Sequence, residues 1–266
     1  MVSTATFAAD FPPAMPQQAV RADTTGWYLR GDVGVGAQNF KSFDFTQTNV
    51  ATGGAWPATW NIDQKDIKDT FFIGGGIGYQ WNNWLRFDVT GEYRGDVKFK
   101  AVGSYFNGID RSFDVYDGDH SAFVGLANAY IDLGTWWCLT PFIGAGVGAV
   151  NHRIAAVSDT GLNTGGVGGS AFGFANADHS QWNLAWAAHA GISYSVTNNF
   201  KVELAYRYLN MGNASTAEIL CGSGGCGTGA GPRAFYTLTD FTSHDFKLGM
   251  RWLLQPEAPA PLMRRG

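Results

Sequence analysis

Charge, cysteine and long apolar runs are all scarce in this sequence. Charged residues make up 15% of the 266 residues, against roughly 25% in an ordinary soluble domain. The formal net charge is −4. No excess of lysine and arginine exists to neutralise phosphates, so a strongly basic nucleic-acid binder is excluded as the default. No stretch approaches the roughly 18 consecutive apolar residues that indicate a transmembrane helix.

The three cysteines give no catalytic signal. Cys221 and Cys226 lie close together in the segment CGSGGC and could form a small disulfide in an oxidising compartment. A zinc site is the weaker alternative, because such sites use four ligands at known spacings. Cys138 stands alone in GTWWCL, and we expect it to be a packing residue. We predict no metal and no cofactor.

Glycine and aromatic residues are abundant, and the apolar residues alternate with polar ones. The period is two rather than 3.6, which indicates strands. Each alternating stretch is long enough to cross a bilayer as a tilted strand, which takes roughly 9–11 residues. The eight stretches are Trp27–Ala37, Thr70–Gln80, Trp84–Phe99, Asp119–Leu133, Leu139–Asn151, Gln181–Val196, Phe200–Met211 and His244–Trp252.

The connections between these stretches alternate between short and long. Three are tight turns rich in Asn and Gly (WNNW, GTWWC and TNN), and the other four span about 38–69, 100–118, 152–180 and 212–243. An up-and-down meander gives this order when all turns lie on one side and all loops on the other. We therefore predict an all-β fold: an eight-stranded antiparallel up-and-down transmembrane β-barrel with four long extracellular loops and three short periplasmic turns.

The position of the large aromatic residues indicates which face of each strand meets lipid. They lie mostly at the strand ends, whereas a soluble barrel would place them mid-strand, facing inward. Amphipathic rings at strand ends form the girdle of a membrane barrel, so the apolar face points outward. The predicted girdle contains Trp27, Tyr79, Trp81, Trp84, Trp182, Tyr208 and Trp252.

The opposite face of the strands carries charged residues of both signs. The inward set contains Arg30, Asp32, Arg86, Asp88, Glu92, Arg94, Asp132, Lys201, Glu203, Arg207, Asp245, Lys247 and Arg251. An eight-stranded lumen is just wide enough for side chains to fill, and buried charges are tolerated only in pairs. We predict an ion-pair network that plugs the lumen. A narrow conducting path through these charges is the alternative. The many inward glycines bear on the choice, because they either make room for long side chains or leave a cavity.

Three segments are similar to one known family. NAYIDLGTWWCLTPFIGAGVGA (128–149), GWYLRGDVGVG (26–36) and HDFKLGMRW (244–252) resemble small outer-membrane β-barrel surface proteins of the OmpA-like/opacity type. The resemblance is greatest to the rhizobial and brucellar outer-membrane immunogenic protein branch. It implies an outer-membrane location, periplasmic termini and long loops on the cell surface. One departure is that Trp252, in the place of the family's terminal aromatic, is followed by fourteen residues.

The two ends of the chain differ in composition from the barrel. Residues 1–25 are predicted to be a signal-peptide remnant and a Pro-rich extension, residues 26–252 the barrel, and residues 253–266 a Pro-rich tail. Outer-membrane lipid, lipopolysaccharide and the barrel-insertion machinery are the expected partners, with no nucleic acid. An additional surface ligand is left unidentified.

Three functions are weighed. The first is a structural, surface-exposed role in envelope integrity, antigenicity or adhesion, and the second is a narrow porin-like channel for small solutes. The third is a lipid-modifying enzyme or a haem binder at the rim, suggested by His120-Ser121 and His179-Ser180. No G-x-S-x-G motif accompanies these residues, so we expect no enzyme and interpret the histidines near strand borders as loop residues.

Overall fold

The computed structural model describes residues 25–48, 60–106, 111–163, 172–175, 177–221 and 233–254. These residues form fourteen strands and no helix; accordingly, the described part holds no helix able to cross a membrane. The strands are β1 (Gly26–Asn39), β2 (Ser42–Thr48), β3 (Trp60–Ile67), β4 (Thr70–Gln80), β5 (Leu85–Phe106), β6 (Arg111–Asp132), β7 (Leu139–Asn163), β8 (Phe172–Ala175), β9 (His179–Ser195), β10 (Phe200–Asn210), β11 (Ala214–Ser215), β12 (Ile219–Cys221), β13 (Arg233–Thr239) and β14 (Thr242–Leu253).

Eight of these strands pair in a closed ring. The order is β1, β4, β5, β6, β7, β9, β10 and β14, and β14 pairs back onto β1. Every neighbouring pair in the ring is antiparallel. Closure leaves no unpaired edge in contact with hydrocarbon, where each unsatisfied backbone group would cost several kcal/mol. The prediction of an eight-stranded antiparallel barrel is confirmed.

The three short connections lie at one end of the barrel. In the turn between β4 and β5, Asn82 Oδ1 accepts the backbone N–H groups of Trp84 and Leu85 at 2.9 and 2.8 Å. In the turn between β9 and β10, Thr197 Oγ1 accepts the N–H of Phe200 at 3.0 Å. Asn and Thr side chains favour such tight turns because they replace backbone partners.

The four long connections contain more strand than the sequence predicts. Strands β5, β6 and β7 continue past the barrel, and β2, β3, β8, β11, β12 and β13 pair alongside them. We call this extension the outer tier; it comprises those six short strands, the ends of β5–β7 beyond residue 97 on β5, and the corner at 240–241. The tier lies at the end opposite the tight turns, on the extracellular side of an outer-membrane barrel.

Two bulges exchange the inward and outward faces where the barrel meets the outer tier. On β5 the pairing with β6 shifts between Arg94 and Val97. Arg94 points inward below the shift, whereas Phe99 is the buried residue above it and Lys98 is exposed. On β7 the shift falls at Ala156, whose φ is 50°. Because side chains alternate with period two, one extra residue reverses every later side chain.

Candidate functional site: the lumen and the outer tier

The predicted inward charges line the lumen. All thirteen lie on the inner face, and all except Lys201 are buried. Four arginines are among the largest fully buried side chains of the described residues: Arg86, Arg94, Arg207 and Arg251. The inward charged residues form three layers, which we call the upper, middle and lower clusters. The lower cluster is nearest the tight turns.

The upper cluster has two arginines between two carboxylates. Arg94 donates to Asp245 through both Nη atoms, at 2.8 and 3.0 Å. Arg207 donates to Glu92 at 2.6 and 2.8 Å and to Asp245 at 2.6 and 2.8 Å. Ser243 adds a hydroxyl that donates to Asp245 at 2.6 Å. Bidentate, charge-assisted bonds of this kind hold planar groups in one orientation.

The middle cluster surrounds Arg30. Its guanidinium donates to Asp32 at 2.8 and 2.9 Å and to Asp88 at 2.6 Å. Asp88 also accepts the hydroxyl of Tyr28 at 3.0 Å and the amide of Asn128 at 2.8 Å. These bonds join β1 to β5, two strands away in the ring, and β5 to its neighbour β6.

The lower cluster holds more cations than acids. Arg86 Nε lies 3.2 Å from Asp132, and Arg251 Nη1 donates to Gln80 at 3.0 Å. Glu203 lies within ion-pair distance of both arginines, at 3.4 and 3.3 Å.

Aromatic rings fill the space between the charged groups. The guanidinium of Arg86 lies 4.2 Å from the ring centre of Tyr130 and 4.6 Å from that of Phe142. Arg94 and Arg207 lie over Phe72 at 4.9 and 5.1 Å. Sequence reasoning did not single out these lumen aromatics, although their parity along β4, β6 and β7 places them on the inner face.

The inward glycines make room for those side chains. A methyl group on Gly34 would lie inside van der Waals contact with Phe72, and one on Gly78 would overlap Tyr28. A methyl group on Gly36 would overlap the side chains of Asp245 and Arg94. At these positions the glycines make room for bulky lumen side chains and do not leave a cavity.

The predicted girdle residues point away from the lumen. Trp27, Trp81, Trp84, Trp182 and Trp252 are exposed, and Tyr79 and Tyr208 are half-buried. Near the tight turns the rings of Trp27 and Tyr79 meet edge to face with centroids 5.2 Å apart. At the other end Trp186, which was not in the predicted set, lies 5.3 Å from Tyr208. Aromatic side chains therefore form a girdle at each end of the apolar belt of the wall.

The prediction that the histidines near strand borders are loop residues is wrong, most clearly for two of them. His120 and His152 are buried strand residues, not loop residues, and their ring nitrogens lie 2.9 Å apart. The ring of Phe241 stacks on His120 at 4.5 Å. His189 is buried in the lumen and lies 3.2 Å from the amide oxygen of Asn128. Within the described ranges, no three metal-binding side chains gather into a site.

The cysteine predictions are only partly covered by the described residues. Cys138 is exposed and free, so the prediction of a packing residue was wrong. Its φ of 70° places it in the tight turn between β6 and β7 rather than in a packed strand. The Cys221–Cys226 pair lies outside the residues whose side chains are described.

The outer tier has an apolar interior above the upper cluster. Phe40, Phe43, Phe99, Tyr236 and Phe241 belong to one continuous cluster of buried residues. The rings of Phe43 and Tyr236 stack with centroids 5.0 Å apart. This apolar cluster extends down into the lumen past the level of Glu92, because its β6 members Val124 and Leu126 are the register partners of Glu92 and Thr90. The charged lumen is therefore covered on its extracellular side.

An acidic pair interrupts this apolar interior. Asp159 accepts the hydroxyl of Tyr236 at 3.0 Å, and Asp114 lies 3.4 Å from the hydroxyl of Tyr116. Burial, and then the negative charge of Asp114, raise the pKa of Asp159 to about 7. Burial also raises the pKa of Asp114. Asp159 therefore changes charge near neutral pH.

The outer surface changes character at the start of the outer tier. Exposed ion pairs replace the apolar belt there, and they are Lys98–Asp119 at 3.2 Å, Lys100–Asp117 at 3.0 Å, Arg153–Asp178 at 2.6 Å and Lys41–Asp240 at 3.7 Å. Charged side chains at this level require water or polar headgroups outside the wall. They mark the outer boundary of the membrane-spanning part.

Comparison with known proteins assigns the family. Residues 6–249 match the outer membrane protein beta-barrel domain, and the chain belongs to that family. The resemblance found in the three sequence segments is confirmed. The protein is accordingly an outer-membrane β-barrel.

The relatives include named surface proteins. An uncharacterized protein of Brucella abortus (strain 2308) is 33% identical over 90% of this chain and 87% of its own length. A protein of Rickettsia prowazekii named "Putative adhesin RP828" is 27% identical over 85% of this chain and 86% of its own. The outer membrane protein PagN of Salmonella typhimurium is 25% identical, over 91% and 95% respectively.

Proposed function

We propose that this barrel is a surface platform in the outer membrane, with a structural and adhesive role and without transport or catalysis. The observation that carries the proposal is the outer tier. The described parts of the four extracellular connections pair as strands around an apolar interior, over a lumen that contains buried ion pairs. A rigid scaffold that presents outer strands is suited to binding at its surface, and three relatives from Rickettsia species carry the name "Putative adhesin".

An exposed apolar pair on the outer tier is a candidate contact point. Phe174 on β8 and Leu220 on β12 are direct register partners, and both are exposed. They lie beyond the ring of ion pairs and therefore outside the lipid. Apolar side chains that face water are where protein contacts gain most from burial.

Cell attachment tests the adhesive role. Bacteria that display the protein should bind an epithelial monolayer more than bacteria with an empty vector, and Phe174→Ser with Leu220→Ser should reduce that gain several-fold. Gln64→Ser with Asp66→Ser, at two exposed positions of β3, is the matched control on another strand and should leave attachment unchanged. Equal surface display is checked by an antibody to an inserted tag. If both variants attach like the native protein, the contact lies elsewhere; if the native protein adds no attachment, the adhesive role fails.

Planar-bilayer conductance tests whether the lumen is closed. We expect the refolded protein to be silent, with the heat-induced gel shift as the control for folding. Steady single-channel steps altered by Arg94→Ala or Arg207→Ala would instead show that the charges line a path, and the narrow-pore alternative would replace the proposal.

Lipopolysaccharide is the partner proposed for the ring of exposed ion pairs. The Lys98, Lys100 and Arg153 side chains form exposed ion pairs just beyond the apolar belt, where lipopolysaccharide phosphates could take the place of their carboxylate partners. We expect Lys98→Ala with Lys100→Ala to reduce the lipopolysaccharide retained on the purified barrel. The insertion machinery is the second proposed partner, with Trp252 as the aromatic residue it reads.

A further inference from the structure

Three cations lie side by side near the tight-turn end of the lumen. Arg30 on β1 is the direct register partner of Arg251 on β14, and Arg251 is the direct partner of Lys201 on β10. Directly opposite residues of antiparallel strands share one face, so the three side chains enter the lumen at the same level. Like charges placed directly opposite each other destabilise a sheet. Such a row therefore needs nearby negative charge.

The carboxylates at this level do not match the cations in number. Arg30 and Lys247 together are balanced by Asp32 and Asp88 in the middle cluster. The lower cluster then has Arg86, Arg251 and Lys201 facing only two acids, which are Asp132 and Glu203. Glu203 is further shared with Arg30 at 3.6 Å. The lower cluster thus carries one uncompensated positive charge.

Several buried donors of the same cluster have no hydrogen-bond partner among the described residues. They are Nη1 and Nη2 of Arg86, Nε and Nη2 of Arg251, and Oγ of Ser193. The two Nη2 atoms lie within ion-pair distance of Glu203 Oε1, but neither contact has hydrogen-bond geometry. Ser193 is the register partner of Glu203, so its hydroxyl lies at the same level. Glu203 Oε1 is itself unpaired and is the acceptor nearest both Nη2 atoms, which leaves Nη1 of Arg86, Nε of Arg251 and Oγ of Ser193 with none. Buried donors that outnumber their acceptors are costly and point to an additional acceptor.

We propose that the lower cluster binds a small inorganic anion of chloride size, held by Arg86, Arg251 and Lys201. One negative charge balances the excess cation, and a spherical acceptor can take N–H and O–H donors from several directions. Both arginines are fully buried, which favours a small ion over a bulky one. Lys201 is half-buried and follows the turn at 196–199, so the ion enters from the periplasmic end.

Unfolding at constant ionic strength tests this site. The refolded protein is unfolded by urea in detergent micelles, in chloride and in gluconate, an anion too large for the cluster. Binding to the folded state alone raises the folded-to-unfolded ratio by 1 + [L]/Kd, about tenfold when chloride is at about ten times Kd. We expect this gain for the native protein and its loss in Lys201→Met. Lys98→Met removes the same charge at the far end of the barrel and should keep the gain.

Three results would overturn the proposal, and two of them come from unfolding. One is equal stability of the native protein in chloride and gluconate. The other is an equal chloride gain in Lys201→Met and Lys98→Met, which is the signature of a general salt effect. Chloride-35 line broadening gives a direct readout that does not depend on unfolding. It should be present for the folded native protein and for Lys98→Met, and an absence of protein-induced broadening in the native protein would also reject the site.

Discussion

The lumen and the outer tier are enclosed by some of the same strands, yet their interiors are opposite in character. On β5, Arg94 points into a charged lumen, and Phe99, five residues later, points into an apolar interior. The outward neighbours change in the opposite sense, from Tyr93 in the lipid belt to Lys98 in an exposed ion pair. The side of the wall that faces lipid must be apolar, which leaves the polar residues to the lumen. Above the membrane the outer surface meets water, so its side chains are polar and the interior is apolar. The bulge on β5 exchanges the inward and outward faces at that level.

The largest expected effect comes from breaking a lumen pair on one side. Asp245→Leu leaves Arg94 and Arg207 without their shared carboxylate. An uncompensated buried charge should lower the free energy of unfolding by about 3–5 kcal/mol, measured by urea unfolding of the folded barrel with the gel shift as readout. Asp119→Leu removes the partner of the exposed Lys98 and should change stability by less than about 1 kcal/mol. Similar losses in both variants would mean that the lumen pairs are solvated like surface pairs.

An apolar truncation should loosen the outer tier and leave the barrel intact. Phe99→Ala removes a fully buried ring that packs over Gly118, at a cost of about 3 kcal/mol. We expect faster hydrogen exchange in β2 and β13, with an unchanged gel shift of the barrel. Lys100→Ala on the same strand is the control. Loss of the folded gel band in Phe99→Ala would show that the two regions unfold as one unit.

A glycine substitution tests how tightly the lumen is filled. Gly146→Ala places a methyl group against the side chain of Asn128 and should cost about 1–3 kcal/mol. Combining it with Asn128→Ala should cost less than the sum of the two single changes. Gly31→Ala, whose methyl group would meet nothing within 4 Å, should be nearly neutral. Additive losses in the double variant would indicate a lumen with room to spare.

The smallest effect is a pH dependence confined to the outer tier. The pKa of Asp159 rises from 3.8 to about 7 on folding, so the folded state binds the proton more tightly. Its stabilising contribution is complete below about pH 4 and is lost as the pH rises through about 7. We expect β7 amides of the tier to be better protected at pH 5 than at pH 8, by about 1–2 kcal/mol. In Asp159→Asn the difference should disappear, and an unchanged difference would assign it to another group.

Much of the barrel was predictable because each strand repeats one simple rule. The alternation of Leu85, Phe87 and Val89 with Arg86 and Asp88 is visible without any tertiary information, and it places the charges correctly in the lumen. The wall is a single sheet with lipid outside and the polar lumen inside, so each environment determines alternate residues of a strand directly. The same parity would have found Tyr28 and Phe72, which lie on the inner face with no charge to draw attention to them.

The candidate site was less predictable because it depends on distances across the lumen. The sequence shows seven cations and six acids on the inner face, but not that Arg251 and Lys201 become direct neighbours while Asp32 and Asp88 both bind Arg30. Pairing across a barrel depends on the register of every strand between the partners. The excess positive charge of the lower cluster is therefore visible only in the folded chain.

The sequence alone determined the number of membrane strands, their order and the face that meets lipid, since these follow from local periodicity and from the chemistry of a bilayer. Tertiary structure decided where that periodicity reverses. The shift after Arg94 and the left-handed Ala156 carry no strong residue signal, and segments beyond them resemble loops in sequence. These segments become strands because pairing with their neighbours satisfies the backbone and buries Phe99 and Tyr236.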